Sequence, residues 1–87
     1  MRKRCFLTFP QQTLGEPLIA TLVKEYGVVP NIRGAMVTAE QGLMAIEFEG
    51  PDEALGRALA WLRARGVQVE EGVPEGVPDP GLPGPAA

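Results

Sequence analysis

The sequence predicts an α+β fold in which strands and helices alternate in the order β-α-β-β-α-β. Two stretches carry apolar residues at helical spacing, and each of them ends at a glycine. Four shorter stretches are apolar or alternate between apolar and polar residues, as strands with one buried face do. Hydrophobic residues make up 45% of the chain and charged residues 22%, which is the balance of an ordinary globular domain.

The first strand is predicted over Cys5 to Phe9, a short apolar and aromatic stretch that Pro10 ends. The sequence PLIATLVKEYG then predicts a helix, with Pro17 at its first position and Gly27 at its end. The apolar residues of this helix recur at the spacing of one helical face, at Leu18, Ile19, Leu22, Val23 and Tyr26.

The second and third strands are predicted to form a hairpin. The second strand is Ile32 to Ala39, and the turn Glu40-Gln41-Gly42 leads into the third strand, LMAIEFE. Pro30 stands just before the second strand, and proline in a sheet is confined mainly to edges because it cannot donate to a ladder. The second strand is therefore expected at an edge of the sheet.

The second helix is predicted over Asp52 to Arg65. Gly50-Pro51-Asp52-Glu53 is a typical helix start, because proline suits the first turn and acids favour the positive end of the helix dipole. Gly66 is placed to cap this helix before a last short strand, Val67 to Glu70. The helix has an apolar stripe with a tryptophan at its margin: Leu55, Ala58, Leu59 and Leu62, with Trp61.

This element order is that of the ferredoxin-like fold, a four-stranded antiparallel sheet with both helices on one face. Two right-handed crossovers predict the strand order fourth, first, third, second. The side chains expected to face the helices are Cys5, Leu7, Phe9, Met44, Ile46 and Phe48. Those expected on the open face of the sheet are Phe6, Thr8, Leu43 and Ala45. Because that face is apolar and the core is small, we expect a homodimer.

The folded domain is expected to span residues 1–71. The remaining stretch, GVPEGVPDPGLPGPAA, is dominated by proline and glycine and cannot build an apolar face. Residues 72–87 are therefore predicted to form a flexible tail that the fold does not need.

Charge and residue types exclude several classes of function. The net charge of −3 argues against a nucleic-acid partner, which requires a surplus of Lys and Arg. No stretch is apolar enough for a signal peptide or a membrane span, so a cytoplasmic protein without membrane insertion is expected. The chain has no histidine and only Cys5 as a cysteine, which excludes a His/Cys metal site and a His-based triad. No cofactor, metal or catalytic residue is expected, and the protein is not predicted to be an enzyme.

Three segments together resemble a known family. PLIATLVKEYGVVPNIRGAMV, then GLMAIEFEG, then ALAWLRARGVQVE resembles the NIL domain, named for an Asn-Ile-Leu triplet at the start of its second strand. The resemblance runs from about Cys5 to Glu71 and includes the Asn-Ile pair and the Val-x-Val-Glu ending. It implies a ferredoxin-like fold similar to ACT regulatory domains, in agreement with the element order.

The resemblance also implies a function. NIL domains occur at the C-terminus of ATPase subunits of bacterial methionine importers, in some ferredoxin-type proteins linked to sulfur-amino-acid metabolism, and alone. In the importers the domain dimerises, binds methionine near the dimer interface and restrains transport. The resemblance makes Asn31 the main polar contact for an amino-acid ligand, with main-chain groups of Ile32, Arg33, Gly34 and Ala35 beside it. A transporter or a protein of sulfur metabolism is then a candidate partner.

Alternative interpretations stay open at this point. Asn31 is also typical of a strand start where the amide satisfies nearby backbone groups. Arg33 replaces the Leu of the triplet; it is either a ligand for a carboxylate or a solvated charge that guards an edge strand. The chain as a whole is alternatively an accessory module that binds a protein of sulfur-amino-acid metabolism, with no small-molecule ligand.

Overall fold

The computed structural model describes residues 1–71 and confirms the predicted β-α-β-β-α-β order. The predicted tail, residues 72–87, lies outside the described residues. The elements are β1 (Arg2–Pro10), a 3-10 turn (Gln11–Thr13), α1 (Leu18–Thr21) with a π-helical continuation (Leu22–Tyr26), β2 (Val29–Val37), β3 (Gln41–Glu49), α2 (Asp52–Ala64) and β4 (Gln68–Glu71).

The four strands form one antiparallel sheet in the order β2-β3-β1-β4, as the crossover rule predicts. Within residues 1–71, β2 is the strand at one edge and β4 the strand at the other. The two edges differ in length, because β2 has nine residues and β4 only four. The longer edge is therefore the one that carries the predicted site.

The core lies between the sheet and the helices. The strand residues expected to face the helices are confirmed there: Cys5, Leu7, Phe9, Ile46 and Phe48 are buried, and Met44 is half-buried against them. The helices contribute mainly Leu18, Leu22, Leu55, Leu59 and Leu62. Leu7, Leu22, Phe48 and Leu62 have no exposed surface at all, so the domain is organised around a single apolar centre.

The open face of the sheet exposes less apolar surface than expected. Phe6 lies opposite Ala45 and Thr8 lies opposite Leu43, so these four residues share the face as predicted. Ala45 is only 3% exposed, however, and the other three residues are half-buried. A small side chain between larger neighbours is covered by them even on a sheet face without helices.

Exposed apolar surface is instead concentrated on the edge strand β2. Val29, Met36 and Val37 are 60%, 39% and 73% exposed. A long edge strand with exposed hydrophobic residues is a surface on which another chain can pair. The surface expected to contact a second copy is therefore the β2 edge, and not the middle of the open sheet face.

The first helix is less regular than its sequence predicts. After one α-helical turn it widens into the π-helical segment Leu22–Tyr26, and it ends at Gly27, whose φ of 68° requires the left-handed region. A widened turn changes the angle between successive side chains. Val23, predicted on the buried face, is consequently 46% exposed.

β1 begins at Arg2, three residues before the predicted start at Cys5. The basic side chains at this end have acidic neighbours on adjacent strands. Arg2 Nε lies 3.9 Å from Glu49 Oε2, and Lys3 Nζ donates a hydrogen bond of 2.9 Å to Glu71 Oε1. Charged residues can therefore continue the strand beyond its apolar part.

Candidate functional site

The predicted site lies on β2, the edge strand. Pro30 lies opposite Phe48 on β3, and within residues 1–71 no strand lies beyond β2 on its other side. The prediction that Pro30 marks an edge is confirmed. The outer edge of β2 thus presents main-chain groups that β3 does not use.

A bulge interrupts β2 in the middle of the predicted site. Ile32 lies opposite Ile46 and Gly34 lies opposite Ala45, so Arg33 is one extra residue in β2 relative to β3. The Arg33 side chain is exposed. Bulges bend and twist a strand locally and re-aim the side chains on either side of them.

The bulge determines which face of the sheet Asn31 occupies. On the hairpin side of the bulge, Ala35 lies opposite Met44 and Val37 lies opposite Gly42. Continued without interruption, this register would place Asn31 opposite Phe48, on the face covered by the helices. With the extra residue, Asn31 lies opposite Glu47 on the open face and is exposed.

Four of the five predicted residues are accordingly divided between the two faces, and the fifth, Arg33, is the extra residue of the bulge. Asn31 and Gly34 lie on the open face, whereas Ile32 and Ala35 lie opposite Ile46 and Met44 on the helix-facing side. The structure thus keeps the predicted residues on one edge strand, where Asn31 and Arg33 are exposed, Ile32 and Ala35 half-buried and Gly34 buried. Ile32 and Ala35 can contact an open-face ligand only through their main chain.

Two charged residues that sequence reasoning did not include lie in line with Asn31. Glu47 on β3 lies between Asn31 on β2 and Arg4 on β1, so the three residues form one row across the open face. Glu47 and Arg4 are half-buried. Arg4 and Arg33 each already take part in an interaction within the chain.

A separate apolar pocket of about 240 Å³ lies between the start of α1 and the end of the β2–β3 hairpin. Of the predicted site residues only Ala35 lines it, together with Val37, Met44, Leu14 and Leu18 among others. Asn31 lies on the opposite face, and two residue pairs of the ladder lie between it and Ala35. A small ligand bound by the Asn31 side chain therefore does not occupy this pocket of the same chain.

Two groups with displaced pKa values within residues 1–71, the Cys5 thiol and the Glu71 carboxyl, lie on β1 and β4, away from Asn31. Burial raises the pKa of the Cys5 thiol to about 11, so Cys5 is an inert core residue at neutral pH. Hydrogen bonds from Lys3 and Arg63 lower the pKa of the Glu71 carboxyl. Within residues 1–71 no group of three or more His, Cys, Asp or Glu residues is placed to hold a metal ion. None of the helices described there is long and apolar enough to cross a membrane.

Comparison with curated proteins finds similar sequences in methionine import ATP-binding proteins. The chain is 32% identical over 69 residues to MetN 1 of Bacillus licheniformis and 33% identical over 70 residues to MetN 1 of Bacillus cereus (strain ATCC 10987 / NRS 248). These matches cover 75% and 76% of this chain but 21% and 20% of the relatives. The chain therefore spans about a fifth of the length of the curated relatives it matches.

A solved structure has the same fold. The C-terminal domain of an ABC transporter / ATP-binding protein from Enterococcus faecalis superposes with a TM-score of 0.72 at 25% sequence identity. The match covers 84% of this chain and 86% of that domain. The family model of the NIL domain matches residues 3–71, which is nearly the whole described part. The chain belongs to the NIL domain family.

Proposed function

We propose that this chain is a regulatory, ligand-binding module that senses a small amino acid such as methionine at an interface between two copies. The observation that carries the proposal is the exposed Asn31 side chain, which the bulge at Arg33 turns onto the open face of an edge strand. The family supports this proposal, because its relatives are named as methionine import proteins.

The edge of β2 suits the recognition of an amino acid. An amide such as that of Asn31 donates and accepts hydrogen bonds, and so serves both an ammonium and a carboxylate group. The outer main-chain groups of Ile32 to Ala35 add donors and acceptors of fixed geometry.

A second copy of the chain is the proposed cover for this edge. Val29, Met36 and Val37 leave apolar surface exposed along β2, and packing of side chains of the second copy against them would bury part of it. A two-fold axis beside β2 would pair the same surface on both copies, as most homodimers do. A ligand next to Asn31 would then be enclosed between the copies.

A regulatory module acts through another protein domain, whose activity changes when the module binds its ligand. Because this chain corresponds to about a fifth of the importer subunits that it resembles, transport itself belongs to other parts of such proteins. We propose that the module acts in the cytoplasm on a transporter or on a protein of sulfur-amino-acid metabolism, and that it has no catalytic activity of its own.

Calorimetric titration with L-methionine up to millimolar concentrations tests the proposal, with thermal unfolding as a second readout. We expect heat of binding and a rise in Tm for the wild type, and loss of both for Asn31→Ala. Gln68→Ala is the matched control, because Gln68 is an exposed amide on the other edge strand. Absence of any heat or Tm change with the wild type at millimolar methionine would contradict the proposed function.

A second candidate function is an accessory module that binds a protein through the same edge without a small ligand. The exposed side chains of Val29, Met36 and Val37 favour it. Co-purification distinguishes the two functions. A Val37→Lys substitution would release a protein that binds this edge, whereas Asn31→Ala would leave that contact intact.

A further inference from the structure

All four glutamines of the chain line one polar pocket of about 340 Å³. Gln11 and Gln12 follow β1, Gln41 begins β3 and Gln68 begins β4. These segments are distant in sequence, and the pairing of β1 with both β3 and β4 brings them to the same end of the sheet. We call this cavity the glutamine pocket.

The connections that carry the glutamines are held in place by the chain itself. After β1, the Thr13 hydroxyl donates a hydrogen bond of 2.8 Å to the main-chain oxygen of Pro10. In the hairpin, the main-chain N–H of Thr38 donates to the main-chain oxygen of Gln41 at 2.8 Å. Gly66, whose φ is 94°, ends the connection from α2 in a conformation that favours glycine. The pocket is therefore preformed, which lowers the entropy cost of binding a ligand.

The groups around the pocket disfavour two classes of ligand. Among the described residues that line it there is no lysine or arginine, and Glu40 contributes a carboxylate. An anion such as a phosphate would find no opposite charge there. An apolar molecule would bury the glutamine amides without giving them hydrogen-bond partners, which is costly. The lining instead suits an uncharged molecule with many hydrogen-bonding groups.

Hydroxyl groups match this lining well. A glutamine amide has both donors and an acceptor, and a hydroxyl group also donates and accepts, so the two can pair in either direction. Hydroxyl groups on neighbouring carbon atoms can donate to the two oxygens of the Glu40 carboxylate. The half-buried Pro10 ring lines the same pocket and offers apolar surface to the C–H groups of a ligand ring.

A second depression continues the glutamine pocket along the open face of the sheet. It has a volume of about 210 Å³ and shares Thr8 and Gln68, which lie directly opposite each other on β1 and β4. Phe6 and Glu70, the next opposite pair, also line it. The groove thus adds an aromatic ring and another carboxylate beside the amides, which suits a ligand with more than one sugar ring.

We propose that the glutamine pocket binds an uncharged polyhydroxylated molecule such as a sugar. Gln41, Gln68 and the Thr8 hydroxyl supply hydrogen bonds, and Glu40 accepts from neighbouring hydroxyl groups. None of residues 31–35, which form the site of the proposed function, lines this pocket. The sugar site is therefore independent of the amino-acid site on β2.

NMR of the ¹⁵N-labelled wild-type protein tests the proposal. The chain has four glutamines and one asparagine, so the side-chain amide signals report on the glutamine pocket and on Asn31 separately. The probes are D-glucose, trehalose and myo-inositol, each titrated to tens of millimolar. We expect at least one probe to shift the glutamine amide signals saturably and to leave the Asn31 signal in place. Absence of a saturable shift of the glutamine signals with all three probes would overturn the proposal.

Substitutions then connect the probe to the pocket. Gln41→Ala and Gln68→Ala should each weaken binding of that probe about threefold to tenfold, the loss expected for one hydrogen bond. Glu40→Gln should weaken it as well, whereas the matched control Glu25→Gln, an exposed glutamate on the first helix, should leave it unchanged. Unaltered affinity in both glutamine variants and in Glu40→Gln would overturn the assignment to this pocket.

The same spectra keep this proposal apart from the proposed function. Methionine should shift the Asn31 amide signal and leave the glutamine signals in place, so each site has its own readout. A sugar response without a methionine response would overturn the proposed function alone. A methionine response without any sugar response would overturn the sugar site alone.

The wild-type titrations need no variant, so a variant that fails to fold leaves both decisions standing.

Discussion

The aromatic rings of Tyr26 and Trp61 pack against each other with their centres 6.1 Å apart and their planes inclined at 46°. Tyr26 ends the π-helical continuation of the first helix and Trp61 belongs to α2. The contact therefore joins the two helices at the rim of the core, at a centre-to-centre distance within the range of interacting aromatic pairs and with an inclination between stacked and edge-to-face.

A double-mutant cycle measures this ring contact. Tyr26→Leu and Trp61→Leu each keep an apolar side chain but remove the aromatic pair. We expect a coupling free energy of about 0.5–1.5 kcal/mol in urea unfolding, beyond the loss of buried area. Effects of the two substitutions that simply add would show that the rings are neighbours without stabilising each other.

Substitution of Leu62 tests the packing of the core directly, because the Leu62 side chain is completely buried. Leu62→Ala should lower the free energy of unfolding by about 2–5 kcal/mol through lost burial and a residual cavity. Val23→Ala is the control, since Val23 is 46% exposed and lies on a helix as well. Comparable losses in both variants would contradict the observed orientation of the first helix.

Stability at acid pH should depend on Glu71. Its carboxyl accepts hydrogen bonds from Lys3 Nζ at 2.9 Å and from the Arg63 guanidinium at 2.7 Å, which lower its pKa from the usual 4.5. A lowered pKa in the folded state contributes stability above pH 4.5, and this contribution is lost as the pH falls through the folded-state pKa. Because the carboxylate is partly exposed, we expect Glu71→Gln to cost less than about 1 kcal/mol at neutral pH.

Unfolding of Glu71→Gln and the wild type between pH 7 and pH 2 checks this. The difference between their free energies of unfolding should become smaller as the pH falls towards 2. Glu70→Gln is the control, because Glu70 is the exposed neighbour that lies opposite Phe6 on the other face. A difference that stays constant over the whole range would show that the loss has another cause.

The Cys5 thiol should resist modification in the folded protein. Burial raises its pKa to about 11, so at pH 8 almost no reactive thiolate is present. We expect labelling by a thiol reagent to be slow in buffer and fast in concentrated urea. Rapid labelling under native conditions would indicate that β1 opens far more readily than its central position in the sheet implies.

Deletion of Arg33 tests the bulge directly. Removing the extra residue leaves Ile32 opposite Ile46 and Gly34 opposite Ala45, so both halves of β2 keep their faces. We expect the variant to unfold cooperatively with a midpoint near that of the wild type. Deletion of Ala45 from the middle of β3 is the control and should be much more damaging, because β3 pairs with β1 without interruption and has no extra residue to absorb the change.

The element order and strand order could be predicted because they depend on patterns that each segment carries by itself. The strand residues Cys5, Leu7, Phe9, Ile46 and Phe48 are buried as their alternation predicts. Element ends were less predictable. β1 extends back to Arg2 because Arg2 and Lys3 pair with Glu49 and Phe48 of β3, which are distant in sequence.

The candidate site was predictable in position and not in orientation. Asn31 could be singled out as part of a family signature, and Pro30 as an edge residue. The face that Asn31 occupies depends on one extra residue, Arg33, which has no mark in the sequence because its residue type is ordinary for an edge strand. The alignment of Glu47 and Arg4 with Asn31 likewise follows from the pairing of three strands.

The bulge also bears on how the Asn-Ile-Leu signature should be read. Arg33 occupies the third place of the triplet, and as the extra residue of a bulge with an exposed side chain it can vary without disturbing the pairing of its neighbours. A search that insisted on leucine there would discard chains of this kind. In this chain the Asn-Ile pair alone carries the signature, and the third place belongs to the residue that the strand pairing leaves out.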